Sequence, residues 1–407
     1  MNDPQQHRTI DDVCSQPAVQ EAKSLGLASP IYPSSVYHCS TTDEADALLA
    51  GTLAGYIYGR EGHPNASALA RRCAELHGCD EAQVCGSGMA AIGLALLAEV
   101  SAGDHVVISD QLYGRTTQLV SLQLARLGVT STAVDATDPT AVAAALRENT
   151  RVVLVETISN PLLRVVDVRS LAELAHARGA VLVVDNTLAC PAVCRPADFG
   201  ADIVVESLTK LVNGHSDVLL GVVCTNTESP AGCQRWSRIK SLAAIWGFTA
   251  SPFECWLAHR GSSTLALRAD RSCDNAGTVA RWLDARRTDS ASGISEVIYP
   301  GLATHADHAV AQAQFTRHAG YVVTFTLSGG RASVDRFIAA GSGIPFCPSF
   351  GDLTTTLSHP ESTSHRGYSP AEREALGIAP GMIRLSVGIE SPDTIVARLA
   401  EALAAAR

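Results

Sequence analysis

Val181-Leu-Val-Val-Asp-Asn-Thr187 and, a short way on, Ile203-Val-Val-Glu-Ser-Leu-Thr-Lys210 decide the fold class. Each is an apolar, β-branched run that ends abruptly in charge. Successive side chains of a strand point to opposite faces of a sheet, so a run apolar at every position is buried on both faces. Working outward, the signature recurs at His105-Val-Val-Ile-Ser109 and Val152-Val-Leu-Val155. Helical spacing fills the gaps over residues 117–127, 139–147 and 170–178. This alternation predicts an α/β domain with a mostly parallel sheet covered by helices on both sides, reaching to about residue 250.

Upstream, Ala66, Leu69, Ala70, Cys73 and Leu76 recur at helical spacing behind Pro64-Asn65, with Asn65 as the expected N-cap. Ala82-Gln-Val-Cys85 then reads as a strand that runs into Gly86-Ser-Gly88. The first 55 residues carry Pro4, Pro17, Pro30 and Pro33 and little periodicity, which predicts an extended arm. Beyond residue 250 the rhythm changes. A helical region at 253–286, a strand at Val322-Val-Thr-Phe-Thr-Leu327, a helix at 332–340, a strand at Met382-Ile-Arg-Leu-Ser-Val387 and a closing helix at 392–405 suggest a smaller C-terminal α+β domain. The expected division is an arm over 1–55, an α/β domain over 56–250 and the α+β domain over 251–407.

The chain has 407 residues, of which 46% are hydrophobic and 18% charged, so it is neither disordered nor fibrous. Its net charge of −10 argues against binding a phosphate backbone. No apolar stretch is long enough to span a bilayer, and the N-terminus does not read as a signal peptide, so a cytoplasmic protein with no membrane or nucleic-acid partner is expected. None of the 12 cysteines forms a C-x-x-C pair, and they read as reduced, mostly buried thiols rather than a metal site.

Ligands of open parallel sheets sit outside the carboxyl ends of the strands. The groups that follow the apolar runs should therefore converge: Gly86-Ser-Gly88, Glu156-Thr-Ile-Ser-Asn-Pro161, Asp185-Asn-Thr187 and Glu206-Ser-Leu-Thr-Lys210. Gly86-x-Gly88 at a helix start offers N–H groups to an anion. It also fits a dinucleotide fingerprint with Asp110 as the ribose acid, which is the reading of a nicotinamide-dependent oxidoreductase. Asp185 at the end of an apolar strand needs a cationic partner, or else a structural bond with Thr187. Lys210, flanked by Leu208 and Leu211, either snorkels or has a depressed pKa suited to imine chemistry. An anion cradle, an acid for a ring nitrogen and an imine-forming lysine together match the phosphate, pyridinium and aldehyde of pyridoxal phosphate. Ser207 and Thr209 supply hydroxyls to the same site.

The chain resembles the Cys/Met-metabolism pyridoxal-phosphate enzymes, the trans-sulfuration group of cystathionine γ-synthase, cystathionine γ-lyase, cystathionine β-lyase and methionine γ-lyase. The resemblance rests on Tyr58-Gly-Arg60 with His63-Pro-Asn65, Gly86-Ser-Gly-Met89, Tyr113-Gly114, Ser159-Asn-Pro161, Val184-Asp-Asn-Thr187 and Ser207-Leu-Thr-Lys-Leu-Val-Asn-Gly-His-Ser-Asp217. It implies a fold type I, aspartate-aminotransferase-like enzyme, usually a homotetramer built as a dimer of dimers with shared active sites. It implies Lys210 as the Schiff-base lysine and proton shuttle, Asp185 at the pyridine nitrogen and Tyr113 on the ring. Gly88, Met89, Ser207 and Thr209 would hold the phosphate, with Tyr58 and Arg60 reaching it from the neighbouring subunit. Asn160, Ser349 and Arg384 would lie near the substrate carboxylate. Taken alone, Arg384 also reads as an edge-strand arginine pairing with Glu390.

The implied activity is γ-elimination or γ-replacement on a sulfur-containing or homoserine-derived amino acid. A β-eliminating carbon–sulfur lyase and a non-catalytic pyridoxal-phosphate-binding protein are the other readings within this resemblance. Three places depart from the family's pattern, one of them Glu61-Gly-His63 before Pro64-Asn65. Pro348 stands where cystathionine-handling members carry a glutamate, and Arg115 stands where members carry a small residue or cysteine.

Overall fold

The computed structural model describes residues 26–407. Residues 26–31 carry no helix or strand. Residues 32–407 form one compact unit holding a seven-stranded and a four-stranded sheet. The larger sheet comprises β1 (Glu81–Cys85), β2 (His105–Ser109), β3 (Thr130–Val134), β4 (Thr150–Glu156), β5 (Val181–Asp185), β6 (Ile203–Glu206) and β7 (Gly221–Thr225). Its order is β1-β7-β6-β5-β4-β2-β3, and only β7 runs against the others.

The alternation of side chains divides this sheet between two cores. Val153, Val155, Leu182, Val184 and Val204 face one, and Val152, Leu154, Val183, Ile203 and Val205 face the other. Burial on both faces is what the continuous apolar runs encode. Register sets Glu156 directly beside Asp185 on the neighbouring strand. The carboxyl ends of β1, β4, β5 and β6 thus deliver Gly86, Glu156, Asp185 and Ser207 to one edge.

The helix Pro64–His77 starts differently from expectation. His63 is its N-cap, accepting from Ala66 N at Nδ1, with Pro64 in the first turn. Asn65 lies inside the helix, where its Oδ1 accepts from the backbone N–H of Tyr32. The cap position falls before the proline because proline suits the first helical residue. Within the stretch expected to be an extended arm, Thr42–Leu49 is helical and capped by Thr41; residues 1–25 of that arm lie outside the described residues.

The smaller sheet comprises β8 (Ile294–Ile298), β9 (Val322–Leu327), β10 (Thr356–Ser358) and β11 (Met382–Ser386) in the order β10-β11-β9-β8, antiparallel throughout. Val323, Phe325, Ile383 and Leu385 pack with Phe337, Ile395 and Leu399 of the helices Gly330–Ala339 and Pro392–Ala406 in a third core. Among the described residues no helix is long and apolar enough to cross a membrane.

Candidate active site

One cavity of about 700 Å³ opens at the carboxyl edge of the large sheet. Gly88, Met89, Tyr113, Asn160, Asp185, Ser207, Thr209, Lys210 and Arg384 line it. Ser349 joins them through its contacts with Lys210 and Arg384.

The turn after β6 presents Lys210. Leu208 and Leu211 are buried and pin the turn, while Lys210 N donates to Ser207 O. The side chain does not run out to water. Nζ donates to Ser349 Oγ at 2.9 Å and lies 4.9 Å from the centre of the Phe350 ring. Burial, with the nearby Arg384 guanidinium, pulls its pKa down to about 8. The anchoring loop is held from behind by Arg268, which donates to the carbonyls of Leu211, Val212 and Gly261.

Asp185 Oδ1 accepts from the backbone N–H of Thr187 at 2.9 Å and from its hydroxyl at 2.5 Å. The structural bond with Thr187 is therefore present, and among the described residues no hydrogen bond or ion pair joins Asp185 to a cationic side chain. Glu156 stands beside it and accepts from Tyr113 N at 2.5 Å. Burial, then the charge of Asp185, pushes the Glu156 carboxyl up, and burial raises Asp185 as well. Two adjacent buried carboxylates without a cation are costly, and a cationic ring nitrogen in the cavity relieves that cost.

Gly88 opens the helix Gly88–Leu97, whose cap is Ser87. The first N–H groups of a helix have no partner within it, so this end suits a phosphate. The close approach of β7 fixes its position. A Cβ on Gly221 would collide with Ser87 O and lie 2.7 Å from Gly88 Cα. Gly221→Ala is expected to cost about 1–3 kcal/mol by overpacking and to loosen cofactor retention. Thermal denaturation and visible absorbance after gel filtration read the two effects, and an unchanged value of both contradicts the packing argument. Ser207 N donates to Thr187 Oγ1, and Thr209 Oγ1 both donates to Leu220 O and accepts from Leu220 N.

Arg384 is buried on β11, an interior strand, so the edge-strand reading fails. Its Nη1 donates to Asn160 Oδ1 at 2.8 Å and its Nη2 to Ser349 O at 2.9 Å. Nε is buried without a partner. Glu390 is occupied elsewhere, accepting from the backbone and hydroxyl of Thr355. Burial lowers the Arg384 pKa to about 10.

Tyr58 and Arg60 are not brought to this cavity. Both are exposed, with the Arg60 guanidinium 5.2 Å from the Tyr58 ring centre and 3.5 Å from Glu61. Asp110, the ribose acid of the dinucleotide reading, is exposed and does not line the cavity. Sequence reasoning missed Phe350, which stands under both Lys210 and Arg384, and the loop Ser362–Tyr368 that walls the mouth. Glu156 gave the same signal as Asp185, charge at the end of an apolar strand, but received no role.

A lysine of lowered pKa, an unneutralised carboxylate pair and a helix N-terminus in one cavity fit the amine, ring-nitrogen and phosphate needs of pyridoxal phosphate. Comparison with known proteins agrees. The family model for Cys/Met metabolism PLP-dependent enzymes matches residues 15–404. The chain is 38% identical to an L-methionine γ-lyase of Fusobacterium nucleatum subsp. polymorphum, over 93% of each chain. It is 36% identical to an O-succinylhomoserine sulfhydrylase of Pseudomonas aeruginosa, covering 92% of this chain and 90% of that one. A solved cystathionine γ-synthase from Xanthomonas oryzae pv. oryzae superposes with a TM-score of 0.86 at 34% identity, over 93% of each chain.

The protein is thus a pyridoxal-phosphate enzyme of the aspartate-aminotransferase-like fold. It belongs to the Cys/Met metabolism PLP-dependent enzyme family. The nicotinamide reading is withdrawn on that ground.

Proposed function

We propose that the chain catalyses γ-elimination or γ-replacement on a sulfur-containing or homoserine-derived amino acid. The observation that carries this reading is the meeting of Lys210 Nζ, the Glu156–Asp185 pair and Arg384 in one cavity. Relatives named as methionine γ-lyase and O-succinylhomoserine sulfhydrylase support it. Bound there, pyridoxal phosphate supplies the electron sink that makes a substrate Cα–H acidic.

Gly88, Met89, Ser207 and Thr209 would hold the phosphate, and Asp185 would hold the protonated ring nitrogen. Arg384, its plane fixed by Asn160 and Ser349, binds the substrate α-carboxylate. Lys210 Nζ takes the Cα proton and moves a second at Cβ, with Ser349 Oγ keeping it in reach. The γ substituent leaves with its bonding electrons, and Tyr113 stands at the cavity to protonate it. A thiol in its place gives replacement, whereas hydrolysis gives a 2-oxo acid and ammonia.

Incubation with homoserine esters, methionine, cystathionine and cysteine, with products identified by mass, tests the reading. Products altered at Cγ are expected, and turnover confined to Cβ sinks it. Pro348 lines the cavity and offers no carboxylate to a distal ammonium. Substrates lacking that ammonium should therefore match or exceed cystathionine in kcat/KM.

The reading includes a cytoplasmic homotetramer, a division between the α/β and α+β parts near residue 250, and sites shared across a twofold. In that arrangement Tyr58 and Arg60 serve the partner's phosphate. Lys210→Ala and Arg60→Ala, each inactive alone, then complement each other. Half of randomly paired dimers are mixed and have one intact site of two, so up to roughly a quarter of wild-type activity returns on co-expression. No return from folded dimers excludes the crossing.

A further inference from the structure

We propose that Glu156 is a positioning residue for the reaction: one carboxylate that holds the Tyr113 turn and the Asn160 turn together, and that tightens its hold when a cationic ring fills the cavity. The inference rests on the roles just proposed for Asp185, Tyr113 and Arg384.

Glu156 ends β4 and lines the cavity, paired in register with Asp185. The strand end is pinned to β5 beyond that pair, because Thr157 N donates to Asp185 O at 3.0 Å and Thr157 Oγ1 to Asn186 Oδ1 at 2.7 Å. Two backbone N–H groups steady the charged form of Glu156: that of Tyr113, through the 2.5 Å bond to Oε1, and that of Asn160. Tyr113 precedes the helix Gly114–Gln118 without a side-chain cap, and the bond to Glu156 ties its turn to β4. Asn160 in turn accepts from Arg384 Nη1 at 2.8 Å. One carboxylate therefore serves both the residue placed on the ring and the residue that orients the clamp for the substrate carboxylate.

The strength of that hold depends on charge. A carboxylate accepts from an N–H group more strongly than a neutral carboxyl does. Two buried carboxyl groups side by side do not both ionise readily. Asp185 is the charge that bears on Glu156. Other charged groups in the cavity are engaged elsewhere: Lys210 by Ser349, Arg384 by Asn160 and Ser349, and Glu206 by His77. Arg115 and Arg366 are exposed, and Tyr113 and Tyr368 are the neutral titratable groups of the lining.

In the cofactor-free protein the pair keeps a proton, and a neutral Glu156 holds the two turns loosely. The pair gives that proton to solvent once a ring cation lies beside Asp185, and the charged Glu156 then draws in Tyr113 and Asn160. Such coupling is reciprocal, so an ordered Tyr113 turn also favours cofactor binding.

Calorimetric titration of the cofactor-free protein with pyridoxal phosphate, in two buffers of different ionisation enthalpy, counts the protons released. Lys210 and the phosphate contribute alike in wild type and in Glu156→Gln, whose amide cannot ionise. The variant should release fewer protons, by up to about one per site, within the range of about pH 5.5 to 8. Glu156→Asp keeps the pair and should keep the release. Wild type alone gives a second count: an analogue with carbon in place of the ring nitrogen brings no cation and should release fewer protons than pyridoxal phosphate. Equal release by wild type and Glu156→Gln throughout that range, or by wild type with the two ligands, overturns the proposal.

In the loaded enzyme, binding of glycine against glycinamide, read by visible absorbance, reports on the clamp. Wild type should prefer glycine, and Glu156→Gln should lose roughly tenfold of that preference, the difference between a charged and a neutral hydrogen bond. An unchanged preference overturns the reach of Glu156 to Arg384. A wild type with no preference refutes the role given to Arg384 instead, and the proton count then decides for Glu156.

Discussion

Lys210→Ala is expected to lose roughly 10²–10⁴-fold in turnover, the scale of a positioned acid–base group, while folding normally. The side chain sits in a cavity rather than a core, so its removal leaves no packed void. The same residue yields a second result in the cofactor-free protein. Its folded pKa of about 8 lies below the free-lysine value of 10.5. Between those values the unfolded chain binds more protons than the folded one, so this contribution to stability rises with pH. Below pH 8 the full penalty for the buried charge is present, and above 10.5 it is gone. Lys210→Met should therefore stabilise the cofactor-free protein at pH 7, and the gain should shrink towards pH 10.5. Urea midpoints of both proteins at the two pH values measure it, and a gain that grows with pH contradicts the burial argument.

Arg384→Leu carries the other large expectation. Two charged hydrogen bonds to a substrate carboxylate contribute roughly 1.5–3 kcal/mol each, so kcat/KM should fall by roughly 10²-fold or more. Lysine should not restore it, because an ammonium cannot reproduce the planar fork that also meets Asn160 and Ser349. The loss should be small when the substrate carboxylate is replaced by an amide. An equal loss on the acid and the amide would mean that Arg384 only ties β11 to the Asn160 loop.

The strands buried on both faces were legible because their pattern is continuous: β2, β4, β5 and β6 fall where the apolar runs place them. β3 and β8 escaped. Each lies at a sheet edge, and Thr130-Ser-Thr-Ala-Val134 and Ile294-Ser-Glu-Val-Ile298 carry polar residues on their open sides. β7 is fully buried but follows a loop instead of a helix, which breaks the alternation that identified its neighbours. The helix expected at 117–127 begins at Gly114 and continues as a π-helix over Leu119–Leu124.

Within the site, legibility followed the same physics. Asp185 and Lys210 were visible because charge at the end of a buried strand is locally anomalous. The meeting of Arg384 with Asn160 and Ser349 was implied only by the family resemblance, since Asn160 stands 224 residues away from Arg384 in sequence and no local pattern links them. Phe350 and residues 363–368 belong to no helix or strand, and only tertiary packing brings them to the cavity. The Glu390 pairing failed for a related reason. Glu390 is near Arg384 in sequence, but Thr355 and Arg398 take its oxygens.

The central claim is that pyridoxal phosphate is held on Lys210. The chain has only three lysines, Lys23, Lys210 and Lys240, so the claim has few competitors. Borohydride reduction of the purified protein, followed by proteolysis and mass spectrometry, locates the cofactor directly. The account predicts a pyridoxyl-phosphate mass on the peptide containing Lys210, with the peptides of Lys23 and Lys240 unmodified. An active protein whose label falls on Lys240 or Lys23, or that carries no such label, would contradict it.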